Sequence, residues 1–199
     1  MLALIVAGGR GTRLNRGEKP LLRVCDRPMI AYVVDAFSAA GIEPVAVLSS
    51  AVPQTANWCR AHGVSQFQAA GVGYVEDITE CIDMLEITEP VFTSVSDIPG
   101  LTAEFITEIR DAYQMAGTDA CSVWVPAALC KRNDTAPVYA AQVHGIDAVP
   151  CGINIINGAK NGEEQVEMAL LIASRRIAVN VNTPDDIAAA ELVLCTHTS

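Results

Sequence analysis

The sequence contains few positive charges and few of the side chains that usually serve as enzyme nucleophiles or metal ligands. Its 199 residues hold 13 Lys and Arg against 23 Asp and Glu, which gives a formal net charge of −10. Only three residues are lysines, and the three histidines stand apart from one another. This balance excludes nucleic-acid binding through a broad basic surface. A phosphate ligand would have to meet a local cluster of positive charge.

The seven cysteines form no metal or redox motif. No C-x-x-C occurs, and no Cys and His have the spacing of a zinc site. Most cysteines lie in apolar stretches, so we expect them to be reduced and to belong to the core of a cytoplasmic protein. The sequence also lacks an apolar run of membrane-spanning length and begins with a short apolar run instead of a basic leader. We therefore expect no stable membrane insertion.

Short apolar runs alternate with segments of helical periodicity, and 51% of the residues are hydrophobic. Runs that are apolar on both faces predict buried strands, so the pattern indicates an α/β fold with a mostly parallel, doubly wound sheet. No linker divides the chain, and we expect a single domain over residues 1–199. The stretch 131–161 predicts a small β-containing lobe or lid. The predicted strands are 2–6, 45–48, 91–95, 121–125, 153–156 and 178–181. The predicted helices cover 30–37, 55–62, 78–85, 102–117 and the residues after 183.

The first predicted strand leads into a loop rich in glycine and positive charge, AGGRGTRLNRGEKP (residues 7–20). Glycines in this position let backbone N–H groups approach phosphate closely. The loop is not a Walker A motif, because no Gly-Lys is followed by Ser or Thr, and it lacks the third glycine of the dinucleotide fingerprint. A merely structural turn would not need Arg13 and Lys19, so we interpret the loop as a nucleoside triphosphate site. Six of the 13 basic residues lie in or just after it: Arg10, Arg13, Arg16, Lys19, Arg23 and Arg27.

The segment LIVAGGRGTRLNRGEKPLLRVCDRPMI (residues 4–30) resembles the signature of the nucleotidyltransferases that activate phosphorylated compounds with a nucleoside triphosphate. Four further segments resemble the guanylyltransferases of cobamide assembly. With them, the resemblance covers essentially the whole chain. It implies a Rossmann-like nucleotidyltransferase fold. It also implies that GMP passes from GTP to adenosylcobinamide phosphate, with release of pyrophosphate. These segments are GYVEDITECI (73–82), VSD (95–97), VPCGINIING (149–158) and NVNTPDDIAAAELVL (180–194).

Nucleotidyl transfer joins two anions, so the protein must supply positioning and positive charge rather than a strong base. A guanidinium can hold two phosphate oxygens, which makes Arg13 our candidate for the β- and γ-phosphates and Lys19 our candidate for the α-phosphate. Asp97 follows a predicted strand, where a turn or cap role is equally open; the resemblance implies that it binds Mg²⁺. We therefore predict Arg13, Lys19 and Asp97 as catalytic residues.

The resemblance also implies a second metal-side residue near the last predicted strand. Asn180 and Asn182 occupy that region, with amides in place of carboxylates, and we take Asn182 as the candidate. Thr183 is interpreted as the N-cap of the last helix, followed by Pro184 and by two aspartates that favour the helix dipole.

Base and acceptor contacts are predicted from three further segments. Guanine offers N–H groups that could donate hydrogen bonds to the Glu76 or Asp77 carboxylate. Alternatively, these two carboxylates could be favourable charges at a helix N-terminus. The resemblance implies base contacts at Ser49 and acceptor contacts at Gly152 and Asn154, for which a turn before a strand is the alternative. The predicted nucleotide contacts are Leu4, Ala7, Gly8, Gly9, Arg10, Gly11, Thr12, Arg13, Lys19, Ser49, Gly73, Tyr74, Glu76 and Asp77.

Two other functions stay open from the sequence. A molybdopterin or other phosphate acceptor could replace adenosylcobinamide phosphate within the same superfamily. A nucleotide-binding subunit without turnover is a different class, but it would be expected to lose the phosphate and metal residues. A homodimer is compatible with either reading.

Overall fold

The computed structural model describes residues 1–9, 17–130 and 140–195 of the chain. Within those residues, ten strands and five α-helices alternate along most of the sequence. The strands are β1 (Leu2–Val6), β2 (Arg23–Val24), β3 (Arg27–Pro28), β4 (Glu43–Leu48), β5 (Ser65–Gln68), β6 (Pro90–Val95), β7 (Ala120–Pro126), β8 (Ala141–Val143), β9 (Ile146–Asn157) and β10 (Glu167–Leu171). The helices are α1 (Met29–Ala39), α2 (Pro53–Ala61), α3 (Tyr74–Met84), α4 (Ala103–Ala116) and α5 (Pro184–Cys195).

Eight strands form one sheet, which confirms the predicted α/β class. The order is β10-β7-β9-β6-β1-β4-β5, with β8 paired to β9. Strands β5, β4, β1 and β6 run parallel, as do β7 and β10, whereas β9 runs antiparallel to both β6 and β7. The sheet is therefore mostly parallel, with one reversed strand near its middle.

The two faces of β1 show why the sheet is doubly wound. Ala3 and Ile5 point into the larger core, which includes apolar residues of α1, α2 and α4. Leu4 points the other way, into a core that α3 covers. Because both faces are apolar, the strand is buried between two helical layers, as the continuous apolar run predicts.

The stretch predicted as a lobe contributes to the main sheet. Strand β8 and the first part of β9 form a hairpin, which corresponds to the small β-containing lobe, while the rest of β9 lies between β6 and β7. Residues 131–139 lie outside the described part of the chain.

One predicted strand is wrong. Residues 178–181 form no strand; Val181 donates one backbone hydrogen bond to the Asp97 carbonyl (3.0 Å). The sheet is extended instead by β10, which the sequence prediction missed, as it missed the polar strand β5. Glu, Met, Ala and Leu of β10 are all good helix formers, so pairing with β7 overrides local propensity there.

The cysteine prediction is wrong for one pair. Cys25, in the turn between β2 and β3, is joined by a disulfide to Cys195 at the end of α5. The other five cysteines are unpaired, and four of them are buried. In the described ranges, no helix is both long and apolar enough to cross a membrane.

Candidate active site

Strands β1, β4 and β6 end side by side, and the loops that follow them meet at one edge of the sheet. Val6 pairs with Val47 on one side and with Val95 on the other. The residues just beyond these strand ends are Ala7 to Gly9, Ser49, and Ser96 with Asp97. Ligands of parallel α/β sheets bind at this carboxyl edge.

The start of the glycine-rich loop packs tightly against the loop after β4. The Ala7 N–H donates to the Val47 carbonyl (2.9 Å), and the Ser49 hydroxyl donates to the Gly8 carbonyl (2.8 Å). A Cβ added at Gly8 would lie 3.1 Å from the Ser49 nitrogen. Gly71 also lies against Ser49, since a Cβ added there would be 2.9 Å from Ser49 Cβ, and its φ is +75°. Glycine is therefore required at Gly71 by its backbone conformation and close approach, and a side chain at Gly8 would crowd the Ser49 backbone.

Carboxylates on α3 hold the loop that follows β5. Asp77 Oδ1 accepts from the Gly71 and Val72 N–H groups (2.9 and 3.1 Å), and Glu80 Oε2 accepts from the Ala70 N–H (2.9 Å). Asp77 is buried, and its two hydrogen bonds to the loop explain why a carboxylate stands at this position near the helix N-terminus. Glu76 is exposed and its carboxylate lies over Gly73.

Lys19, Asp97 and Asn182 come together from three distant parts of the sequence. The Lys19 ammonium forms an ion pair with Asp97 Oδ2 and donates to Asn182 Oδ1 (2.7 Å). Lys19 begins a short 3₁₀ turn (Lys19–Leu21), and Asp97 follows β6. One cation thus contacts both residues predicted as metal ligands.

Backbone and capping contacts place Asn182 at this position. The Val181-to-Asp97 hydrogen bond joins its segment to the end of β6. The side-chain nitrogen of Asn182, Nδ2, donates to Asn180 Oδ1 (2.9 Å), which leaves the side-chain oxygen, Oδ1, facing Lys19. Thr183 caps α5 and Asp186 accepts from the Asn182 and Thr183 N–H groups, which confirms the capping prediction.

Asp97 is almost enclosed, with 8% of its surface exposed. Burial raises the pKa of its carboxyl group, and the Lys19 ammonium opposes that change by favouring the charged form. In the described part of the chain, no donor forms a hydrogen bond with the buried Asp97 Oδ1. A buried carboxylate oxygen without a donor fits a hard cation such as Mg²⁺. Asn182 Oδ1 contacts the same ammonium as the other carboxylate oxygen, Oδ2.

The donor set is small. The described ranges hold no cluster of three or more His, Cys, Asp or Glu that could bind a metal. A cation at Asp97 and Asn182 would therefore complete its coordination with phosphate and water oxygens. Mg²⁺ commonly binds in this way, through one or two protein oxygens and the phosphates of a substrate.

A second cluster of polar side chains lies around Thr93, two residues before the end of β6. The Tyr74 hydroxyl and the Asn154 amide both donate to Thr93 Oγ1 (3.3 Å each). Gly152 lies at the edge itself, with φ +85°, and a Cβ there would be 2.8 Å from Val95 Cγ2. The two predicted acceptor residues therefore differ: Gly152 borders the site, whereas the Asn154 side chain is engaged within the sheet.

Sequence reasoning missed Glu18. Its carboxylate accepts from the Gln54 N–H (2.8 Å) and from the Thr55 N–H and hydroxyl (2.6 Å each). It thereby caps α2, whose own N-cap residue, Val52, has no side-chain acceptor. That poor cap was the available signal, but the sequence does not show which distant side chain replaces it.

The remaining predicted nucleotide contacts fall into two groups. The Leu4 side chain is fully buried in the α3-facing core, so only its backbone could contact a nucleotide, and the predicted contact stays a prediction. Four residues lie outside the described part of the chain: Arg10, Gly11, Thr12 and Arg13.

The MobA-like NTP transferase domain matches residues 3–151. The chain belongs to the MobA-like NTP transferase family. It is accordingly a nucleotidyltransferase, and the family is one in which a divalent metal ion is expected as cofactor.

Two relatives share different lengths of this chain. The adenosylcobinamide-phosphate guanylyltransferase of Methanocaldococcus jannaschii is 29% identical over 98% of this chain and 97% of its own length. The bifunctional protein GlmU of Pelotomaculum thermopropionicum is 30% identical over 60% of this chain, which corresponds to 27% of that protein.

Two solved structures support the fold. A hypothetical transferase from Thermus thermophilus has a TM-score of 0.68 at 18% identity, covering 94% of this chain and 99% of its own. The molybdopterin-guanine dinucleotide biosynthesis protein A of Archaeoglobus fulgidus also has a TM-score of 0.68, at 17% identity, covering 98% and 99%. At these identities, the likeness concerns the MobA-like fold alone.

Proposed function

We propose that this protein transfers GMP from GTP to adenosylcobinamide phosphate and releases pyrophosphate. The convergence of Lys19, Asp97 and Asn182 at the carboxyl edge of the sheet carries the transferase part of the proposal. The choice of base and acceptor rests on the similarity to the guanylyltransferase of M. jannaschii, which extends over nearly the full length of both chains.

In the proposed reaction, an oxygen of the acceptor phosphate attacks the α-phosphorus of GTP in line with the leaving group. The bond from the α-phosphorus to the bridging oxygen breaks, and pyrophosphate leaves with that electron pair. The acceptor phosphate is already ionised, so no general base is required. Lys19 neutralises charge on the α-phosphate, and Arg13 does so on the β- and γ-phosphates.

Asp97 and Asn182 are the proposed ligands of Mg²⁺. The ion would supply positive charge to the phosphate oxygens as charge develops on the leaving pyrophosphate. Asp97 is suited to this role because its Oδ1 is buried and, in the described ranges, without a donor.

For the nucleotide, we propose that Ala7, Gly8 and Gly9 offer backbone N–H groups to phosphate, while Ser49, Gly73 and Tyr74 border the base. Of the two candidate carboxylates, we propose Glu76 as the acceptor from guanine, because it is exposed, whereas Asp77 is already occupied by the loop N–H groups. Gly152 is the proposed acceptor-side contact.

Pyrophosphate release tests this function. Purified protein with Mg²⁺ and GTP should release pyrophosphate only when adenosylcobinamide phosphate is added, and ATP or CTP should not replace GTP. Release with molybdopterin instead would assign the chain to the alternative acceptor. GTP binding without release with either acceptor would support the non-catalytic subunit. We also retain a cytoplasmic location and a homodimer as parts of the proposal; sedimentation velocity tests the dimer.

A further inference from the structure

We propose that the Lys19 ammonium occupies the cation position between Asp97 and Asn182 until a nucleotide draws it away, so that the divalent metal binds together with the triphosphate and not before it. This inference rests on the proposed function, because it concerns how metal and nucleotide binding are coupled at that site.

The contacts of Lys19 are those of a bound cation. Its ammonium bonds to Asp97 Oδ2 and to Asn182 Oδ1, two of the three side-chain oxygens that this pair of residues could offer to a metal. The third, Asp97 Oδ1, is buried and has no donor among the described residues. Only 17% of the Lys19 side chain and 12% of the Asp97 side chain are exposed, so solvent screens the pair weakly. An ammonium and a divalent cation cannot share these oxygens, since they repel each other and need the same space.

The structure also allows Lys19 to leave without disturbing its backbone. Glu18, the residue before it, is fixed by three hydrogen bonds to the start of α2. Pro20, the residue after it, is buried. Between these anchors, the four-carbon side chain can rotate and carry its charge to another partner.

A nucleotide supplies that partner. An α-phosphate offers charged oxygens to the ammonium, and transfer of Lys19 to it exposes Asp97 and Asn182 to a cation. Nucleotide and metal should therefore each strengthen the binding of the other, because such coupling is reciprocal. A merely structural ion pair would not produce this coupling; its loss would lower stability alone.

The test measures Mn²⁺ binding without turnover, by the loss of the free-ion electron paramagnetic resonance signal. Lys19→Met retains the length of the side chain and removes its charge. We expect it to bind Mn²⁺ alone about tenfold more tightly than the wild-type chain, within the usual range of coupling between sites. Lys19→Gln should act in the same direction, and it replaces the Met variant if that variant does not fold.

Lys160→Met is the matched control, because Lys160 pairs with Asp119 Oδ2 (2.7 Å) in another part of the chain. Its Mn²⁺ affinity should equal that of the wild type. A non-hydrolysable α,β-methylene analogue of GTP should raise Mn²⁺ affinity in the wild type more than in Lys19→Met.

Two results would overturn the inference: Mn²⁺ binding to the Lys19 variants that is no tighter than in the wild type, or an equal gain in Lys160→Met. Neither result depends on turnover. Acceptor-dependent pyrophosphate release by the wild type would then leave the proposed function intact. Conversely, tighter Mn²⁺ binding in a chain that turns over no acceptor would separate the coupling from the proposed reaction.

Discussion

At the scale of single residues, Asp97 has an environment that a structural ion pair would not need. Its carboxyl group is buried, its pKa is raised by that burial, and one of its oxygens accepts no hydrogen bond from the described residues. Lys19 pairs with Oδ2 only, and the buried Oδ1 is left without a donor among the described residues, which is the reason for assigning Asp97 to the metal.

Asp97→Asn tests that assignment. The amide keeps the size of the side chain but removes the charge that would hold Mg²⁺, so we expect kcat for pyrophosphate release to fall by about 10²-fold or more. Circular dichroism of the variant serves as the control for folding. Turnover close to that of the wild type in a folded variant would show that the metal is held elsewhere.

At the scale of secondary-structure elements, the short segment around Lys19 connects α2 to the site. Glu18 replaces the missing side-chain cap of α2, and the adjacent Lys19 contacts the residues beyond β6 and before α5. The stability of the start of α2 and the position of the Lys19 ammonium therefore depend on two adjacent residues, Glu18 and Lys19.

Glu18→Ala should affect both properties. The Gln54 and Thr55 N–H groups lose their acceptor, which should lower the free energy of unfolding by about 1 kcal/mol, as for other lost N-caps. Urea unfolding measures this change, and we expect kcat/KM for GTP to fall as Lys19 loses its anchor. Glu18→Gln, which keeps a side-chain oxygen, should restore part of both. Unfolding of Glu18→Ala at the wild-type urea concentration would contradict the capping role.

Element boundaries also show where sequence patterns were sufficient. The end of β1 at Val6, the cap at Thr183 and the end of α4 at Gly117, which has a left-handed φ of +64°, follow from local residue preferences. Strand β10 does not, because its helix-forming residues become a strand only through pairing with β7.

At the scale of the whole molecule, the disulfide joins residues 170 positions apart and ties the β2–β3 turn to the end of α5. Both elements pack in one small core with Val181, the residue next to Asn182. The arrangement of the cysteines is therefore a property of the complete fold.

Thiol counting checks this arrangement. Burial raises the pKa of Cys59 and Cys121 to about 11 and that of Cys81 and Cys151 to about 12, so these thiols stay protonated and unreactive near pH 8. Without reductant, the native protein should expose at most one reactive thiol, Cys130, and the denatured protein five. Reduction should raise the denatured count to seven. Seven thiols before reduction would contradict the disulfide.

The sequence by itself determined the α/β class, the glycine-rich segment after the first strand and the candidate Lys19, because these depend on local periodicity and on residue types in order. The candidates Asp97 and Asn182 followed from the family resemblance that the sequence motifs carry. Tertiary structure alone decided that β9 runs antiparallel within the sheet, that Glu18 caps α2, and that Lys19 contacts both metal candidates. The last contacts join residues 78 and 163 positions apart. Such contacts depend on how strands pair and helices pack, which local patterns do not specify.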